Sequence, residues 1–319
     1  MQLPHLSSGA GEKLVGHQDA LKKLRSLYTA GNLAPCWLLV GQRGIGKGAF
    51  AYQFAKEILT SNPQNPTGLP ENIVSRQIKV GSYPNLLVIE KALNKEGEET
   101  NEISVDEARK VLDFLHQSPS IPGWRAVIVD AVDELNRAAA NSLLKILEEP
   151  PQKTLFLLVC HSLGQVLATI RSRCQQLNLS PLSIDDLNQI ATEPVSEELA
   201  AYVKGSLGLY YSLQEAGGLS FIQTLTQIID SARKGQMNPV QRFCEEVSKD
   251  PKRYSCFLWL IEQWVYKRAL NTNSDERAHW VLVWEKLTAF LKGAKMTHLD
   301  KTQIMLSCFL IIENPNIYS

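Results

Sequence analysis

The sequence predicts an α/β domain built on a parallel sheet, followed by an all-helical C-terminal part. Three observations carry this. Apolar runs at 36–40, 85–90, 125–130 and 154–160 alternate with segments of helical period, the pattern of a parallel sheet covered on both faces. A glycine-rich loop, 41–48, joins the first run directly to a helix. After Pro181 the strand pattern stops and helical periodicity continues to residue 319.

Residues 12–31 form the first expected helix, with Leu14, Leu21, Leu24 and Leu27 near one face and Gly31-Asn32 as the stop. Cys36-Trp37-Leu38-Leu39-Val40 is a continuous apolar run, as befits a strand buried on both faces. The loop follows, then a helix over 49–59. Residues 60–82, rich in Pro, Asn, Gly and Ser, suggest an irregular insertion. A second strand at 85–90 leads into a charged loop, 91–101. Ser104 and Glu107 have the spacing of a capping box for a helix ending near His116. The third strand, 125–130, ends in Asp130. A helix over 138–148 stops at Pro150-Pro151, and 154–160 is the fourth strand. A short helix at 163–169 and a last strand at 175–179 complete the unit. Three short helices, 183–192, 196–204 and 206–216, then precede a possible hinge at Gly217-Gly218. Helices at 219–233, 239–248, 251–270, 275–292 and 299–313 follow, and Trp259, Trp264, Trp280 and Trp284 are expected in their core.

Composition narrows the function. Lys+Arg and Asp+Glu both number 33, so no global field draws the chain to nucleic acid or to an acidic membrane. No apolar run approaches the roughly 18 residues of a membrane span. Residues 1–11 carry neither a basic start nor an apolar core, so a cytoplasmic chain without membrane contact is expected. None of the six cysteines forms a C-x-x-C pair, and buried free thiols are the expectation.

The loop Gly41-Gln42-Arg43-Gly44-Ile45-Gly46-Lys47-Gly48 meets seven of the eight positions of the phosphate-binding pattern G-x-x-x-x-G-K-[ST]. Its glycines let successive N–H groups converge, the following helix adds its positive end, and Lys47 adds a charge. The eighth position should supply a hydroxyl for Mg²⁺, and Gly48 has none. Asp130 ends a strand of the same sheet. The carboxyl ends of parallel strands are where ligands bind, so Asp130 is a candidate to hold Mg²⁺ through water, or else a cap for the next helix.

Further motifs extend the pattern. They are Leu14-Val15-Gly16-His17, Trp37-Leu-Leu-Val-Gly41, Val129-Asp130-Ala131-Val132-Asp133-Glu134, the run Ala140-Asn141-Ser-Leu-Leu-Lys145 to Pro151, and Thr169-Ile-Arg-Ser172-Arg173-Cys174. Together and in this order they resemble clamp-loader ATPases of the AAA+ class from bacterial DNA polymerase III, most of all the delta prime branch of that family. The motifs cover about 14–180; beyond, only helical character and size agree. The resemblance implies an AAA+ P-loop domain at 1–180, a small helical lid at 181–217 and an all-α collar for oligomerisation at 218–319. It implies gamma/tau-like and delta-like subunits as partners, with the sliding clamp and primed DNA reached through the complex.

The same resemblance exposes departures. Beyond Gly48, Ala131 stands where a water-orienting carboxylate belongs, Cys160-His161 where a polar sensor belongs, and the segment 205–210 lacks its usual arginine. Several vacancies in one catalytic unit imply no ATP turnover at this chain's own site. ATP held without hydrolysis, and a loop kept for its packing, both remain open for Gly41, Gly44, Gly46, Lys47 and Gly48. Arg173, in the family's Ser-Arg-Cys motif, is implied to reach a nucleotide bound by a neighbouring subunit, the planar guanidinium being suited to phosphate oxygens. Its alternative is a surface ion pair. Family members often carry a four-cysteine zinc site after the phosphate-loop helix, and 60–84 contain no cysteine, so no zinc is expected. The competing functions are an active ATPase of a clamp loader or related DNA-processing complex, with Asp133 or Glu134 as base, and a small-molecule kinase.

Overall fold

The computed structural model of the chain describes residues 14–60, 71–79, 81–93, 100, 102–119, 121–191, 194–294 and 299–315. The N-terminal segment 1–11 and much of the loop 91–101 lie outside these. The chain divides into two compact units, Leu3–Gly208 and Leu209–Ser319.

In the first unit, α1 (Gln18–Thr29) leads to β1 (Cys36–Val40), α2 (Lys47–Thr60), α3 (Glu71–Lys79), β2 (Leu86–Glu90), α4 (Val105–His116) and β3 (Arg125–Asp130). Then come α5 (Arg137–Glu148), β4 (Thr154–Cys160), α6 (Ala168–Arg171), β5 (Gln175–Asn178), α7 (Ile184–Asn188), α8 (Glu197–Val203) and the start of α9 (Leu207–Ala216). The five strands are parallel in the order β2-β3-β4-β1-β5.

Period-two alternation divides each central strand between two cores. Trp37 and Leu39 of β1, with Leu155, Leu157 and Val159 of β4, meet Leu21 and Leu24 of α1 and Phe50 and Phe54 of α2. The intervening Cys36, Leu38, Phe156 and Leu158 face Val111 and Leu115 of α4 and Leu143 and Leu147 of α5. Both faces are therefore dry, which is why the interiors of the central strands contain no polar residue, Arg125, Asp130 and Thr154 lying at strand ends.

The structure departs from the sequence expectation in places. Helix α1 begins at Gln18 rather than 12, because Gly16 (φ +71) and His17 (φ 55) turn the chain before it. The insertion 60–82 contains α3, anchored by buried Val74 and Ile78. Ser104 Oγ accepts the Glu107 N–H at 3.3 Å, but Glu107 pairs with Lys110 instead of reaching back, so only half of that capping box forms. A complete one occurs at Ser183 and Asp186.

One buried charge ties β3 to α4. Arg125, at the start of β3, is 7% exposed and donates to the carbonyls of Phe114 (3.1 Å), Gln117 (2.9 Å) and Leu115 (3.3 Å). A cation there satisfies the orphan carbonyls of the helix end and meets its negative pole. Arg125→Ala should lower unfolding free energy by about 2 kcal/mol, since several charge-assisted bonds would be lost at once. An unshifted urea midpoint would refute this.

The second unit is helical throughout its described residues: the rest of α9, then α10 (Gly218–Arg233), α11 (Met237–Val247), α12 (Pro251–Asn271), α13 (Ser274–Ala294) and α14 (Lys301–Glu313). Phe243 sits against Phe221, Phe257 and Phe309 with ring centroids 6.0–6.4 Å apart. Trp280 is fully buried, with Arg233 and Arg268 over its ring at 5.5 and 5.7 Å. Trp259, Trp264 and Trp284 are half-buried, so only Trp280 is core in the full sense. No helix among the described residues is long and apolar enough to cross a membrane.

Candidate functional site: a phosphate-loop frame

The sheet order places β1 between β4 and β5, so the chain crosses over itself at the carboxyl end of β1. That is the switch point where parallel sheets form a crevice. The loop 41–48 emerges there, and the Gly41 N–H donates to Cys160 O at the end of β4. Gly44 has φ +82, and a Cβ on it would lie 2.2 Å from Ser206 Oγ. The Gly208 N–H donates to Gly44 O at 3.1 Å, so the segment 205–208 rests directly on the loop. His17 donates from Nε2 to Ile45 O at 2.8 Å, which holds the loop from the other flank. His17 was present in the sequence motif, but its role became visible only with the fold.

Lys47 opens α2 and is buried. Its Nζ donates to Gly41 O at 2.7 Å and Gln42 O at 2.6 Å, so its contacts are with the loop itself. Burial pushes its amine down to about 8, against the pull of Asp130 and Asp133. Asp130 ends β3 beside it. Desolvation pushes that carboxyl up to about 7, Lys47 and Arg43 opposing and Glu134 and Glu90 adding. The sequence-predicted Gly41, Gly44, Gly46, Lys47, Gly48 and Asp130 are thus one cluster.

The acids after β3 are committed elsewhere. Asp133 accepts the backbone N–H of His161 and of Ser162, each at 2.9 Å, and so ties the β3 exit to the β4 exit. Glu134 pairs with Lys91 at 2.8 Å and Arg43 at 3.2 Å. His161 Nε2 lies 4.0 Å from Asp130, too far for a hydrogen bond. Its imidazole is pushed down to about 3 by burial and by the cations Lys47, Arg43 and Lys91, so it is neutral. The donor set fits a hydrolysed Mg²⁺-nucleotide poorly: position 48 has no hydroxyl, both oxygens of Asp133 accept backbone N–H groups, and Glu134 is paired with two cations through Oε1. Among the described residues, no group of three or more His, Cys, Asp or Glu is placed to hold a metal ion.

Arg173 is not part of this cluster. It follows α6 and precedes β5, whose pairing with β1 begins at Trp37↔Gln175, the amino end of the strands. The loop leaves the carboxyl end. The length of β1, about 3.3 Å per residue, separates the two. Arg173 pairs with Glu148 at the end of α5 and donates to Thr169 O at 2.7 Å and Ser172 Oγ at 3.2 Å.

Sequence comparison agrees with this geometry. The family described as DNA polymerase III, delta subunit, matches residues 16–183. The DNA polymerase III subunit gamma of Buchnera aphidicola subsp. Schizaphis graminum is 31% identical over 178 residues, covering 55% of this chain and 46% of the relative. The DNA polymerase III subunit delta' of Pseudomonas aeruginosa is 29% identical over 205 residues, covering 63% and 61%. The chain thus spans less than two thirds of either relative. A crystal structure of a DNA polymerase III, gamma subunit-related protein from Thermotoga maritima aligns over 91% of this chain and 98% of that one, with 18% identity and a TM-score of 0.46. A match over more than half the chain, on a parallel sheet with a phosphate-loop frame at its switch point, places this α/β chain with its helical C-terminal part among the AAA+ proteins, in the DNA polymerase III, delta subunit family.

Proposed function

We propose that this chain is a clamp-loader subunit of the delta prime kind, one that serves a neighbour's ATP site and hydrolyses nothing at its own. The observation that carries this reading is the separation of its two phosphate-directed features. The loop lies at the carboxyl end of β1 and Arg173 at the amino end, beyond reach of each other. An arginine so placed serves a phosphate only on another molecule. The self-contacts of Lys47 and the commitment of Asp133 and Glu134 support the second half of the reading.

On this proposal residues 1–180 form the AAA+ domain, 181–217 the lid and 218–319 the collar that joins gamma/tau-like and delta-like subunits in the cytoplasm. The sliding clamp and primed DNA are met through the assembly, and the balanced charge of the chain gives it no long-range pull on DNA of its own. ATP is at most a bound, unhydrolysed ligand here.

The purified chain mixed with Mg²⁺-ATP should release phosphate no faster than its Lys47→Ala variant. Stoichiometric turnover that depends on Lys47 would overturn the proposal in favour of an active ATPase.

A further inference from the structure

Two cysteines meet at the β1–β5 edge of the sheet. The register Trp37↔Gln175 and Leu38↔Gln176, taken one step back, sets Cys36 beside Cys174. Neighbouring strands run about 4.8 Å apart, within the roughly 4.4–6.8 Å that disulfides span between Cα atoms. Both side chains lie on one face: Cys36 belongs to the core that α4 and α5 cover, and Cys174 packs against it. The Cys36 thiol donates to Leu147 O at 3.9 Å, the two thiols interact electrostatically, and neither is in a disulfide. Cys174 is half-buried and sits just before an edge strand whose Gln175, Gln176 and Asn178 are exposed. Cys160, Cys244, Cys256 and Cys308 are all buried.

We propose that Cys36 and Cys174 form an oxidant-reactive dithiol site that a hydroperoxide converts to an intramolecular disulfide between β1 and the start of β5. Cys174 is the attacking group and Cys36 the resolving one. Its pairing with Cys36 holds the Cys174 thiol below its usual range, while Cys36 is raised by that same pairing and by burial. A half-buried thiol with thiolate character is the reactive kind.

With hydrogen peroxide the chemistry balances. The Cys174 thiolate attacks one peroxide oxygen, an S–O bond forms, the O–O bond breaks, and the departing hydroxide takes the proton Cys174 gave up and leaves as water. The Cys36 sulfur then attacks the Cys174 sulfenic sulfur. The S–S bond forms, the S–O bond breaks, and the second hydroxide takes the Cys36 proton. Two thiols are oxidised, and one peroxide is reduced to two waters. The linkage anchors the backbone one residue past Arg173 to the strand that leads into the phosphate loop.

The test uses the full chain and one equivalent of hydrogen peroxide, followed by iodoacetamide, digestion and mass spectrometry. The chain should lose two hydrogens, a peptide bearing Cys36 should be linked to one bearing Cys174, and a thiol reductant should reverse both changes. Cys36→Ser should stop at a Cys174 sulfenic acid that dimedone traps. Cys174→Ser should leave Cys36 a thiol and slow oxidation roughly tenfold or more. The proposal is overturned if both wild-type thiols remain alkylatable, if either pairs with another cysteine, or if Cys174→Ser reacts as fast as wild type.

Discussion

Arg173→Ala should cut hydrolysis at the neighbouring ATP site by about 10³-fold or more in a reconstituted complex, while the subunit still assembles. Arginine fingers supplied in trans carry effects of that order. A complex with several ATP sites would lose only this site's share of its steady-state rate, so single-turnover measurement is the sharper readout. Arg173→Lys should not restore the rate, because an ammonium lacks the planar fork that spans two phosphate oxygens. The purely structural alternative makes a different prediction. If Arg173 serves only its ion pair with the exposed Glu148, then Arg173→Ala and Glu148→Gln should behave alike. An exposed pair of this sort contributes at most about 1 kcal/mol, so the melting temperature of the isolated chain should barely move in either variant. A wild-type single-turnover rate for Arg173→Ala would end the trans role.

Gly205→Ala should destabilise the first unit by about 3 kcal/mol. Gly205 holds φ +73, and a Cβ there would lie 2.5 Å from Leu182 O, 2.6 Å from Leu182 N and 2.6 Å from Pro181 Cβ. Two of these are backbone atoms that cannot rotate away. The clash also falls on a pairing, since the Leu182 N–H donates to Gly205 O at 3.1 Å. Left-handed strain alone costs about 1–2 kcal/mol, and a disrupted buried hydrogen bond adds a similar amount. Gly31→Ala is the internal control. Gly31 has φ +71 but nothing within 4 Å of the added carbon, so that variant should show only the strain. Urea unfolding of both separates the two contributions, and equal midpoints would refute the close-approach argument. Gly205 also holds the segment whose Gly208 N–H meets Gly44 O, so the alanine variant should loosen the cover over the phosphate loop as well.

The strands were legible because their surroundings leave one solution. A run such as Leu155-Phe156-Leu157-Leu158-Val159 is apolar at every position because α1 and α2 cover one face and α4 and α5 the other. Helix α3 was hidden for a compositional reason. Pro63, Pro66, Gly68 and Pro70 dominate the window, and the two residues that anchor the helix, Val74 and Ile78, are a single i, i+4 pair. Within the site, the identities of Lys47, Gly48, Asp130 and Ala131 were legible, and so were the vacancies. The commitments of the remaining groups were not. Arg43 and Glu134 are 91 positions apart in sequence, and their pairing follows only from the return of β3 alongside β4 and β1. Asp133 looked like a spare carboxylate until the fold put the His161 and Ser162 amides against it. The Cys36–Cys174 meeting was equally out of reach, because it depends on β5 joining the far side of β1.

The strand order has a consequence for how the chain comes into being on the ribosome. The most apolar early strand, β1, finds its partners in β4 and β5, roughly 120 and 140 residues later, rather than in β2. At about 5–20 residues per second, its edges stay unpaired for on the order of ten seconds of synthesis. Its nearest sequence partners in the core, α1 and α2, can shelter one face of Trp37 and Leu39 during that interval, but neither helix can satisfy a strand's hydrogen bonds. The nascent chain is therefore most exposed to mispairing before residue 178 emerges, and a truncation that ends between α2 and β4 should aggregate rather than persist as a partial sheet.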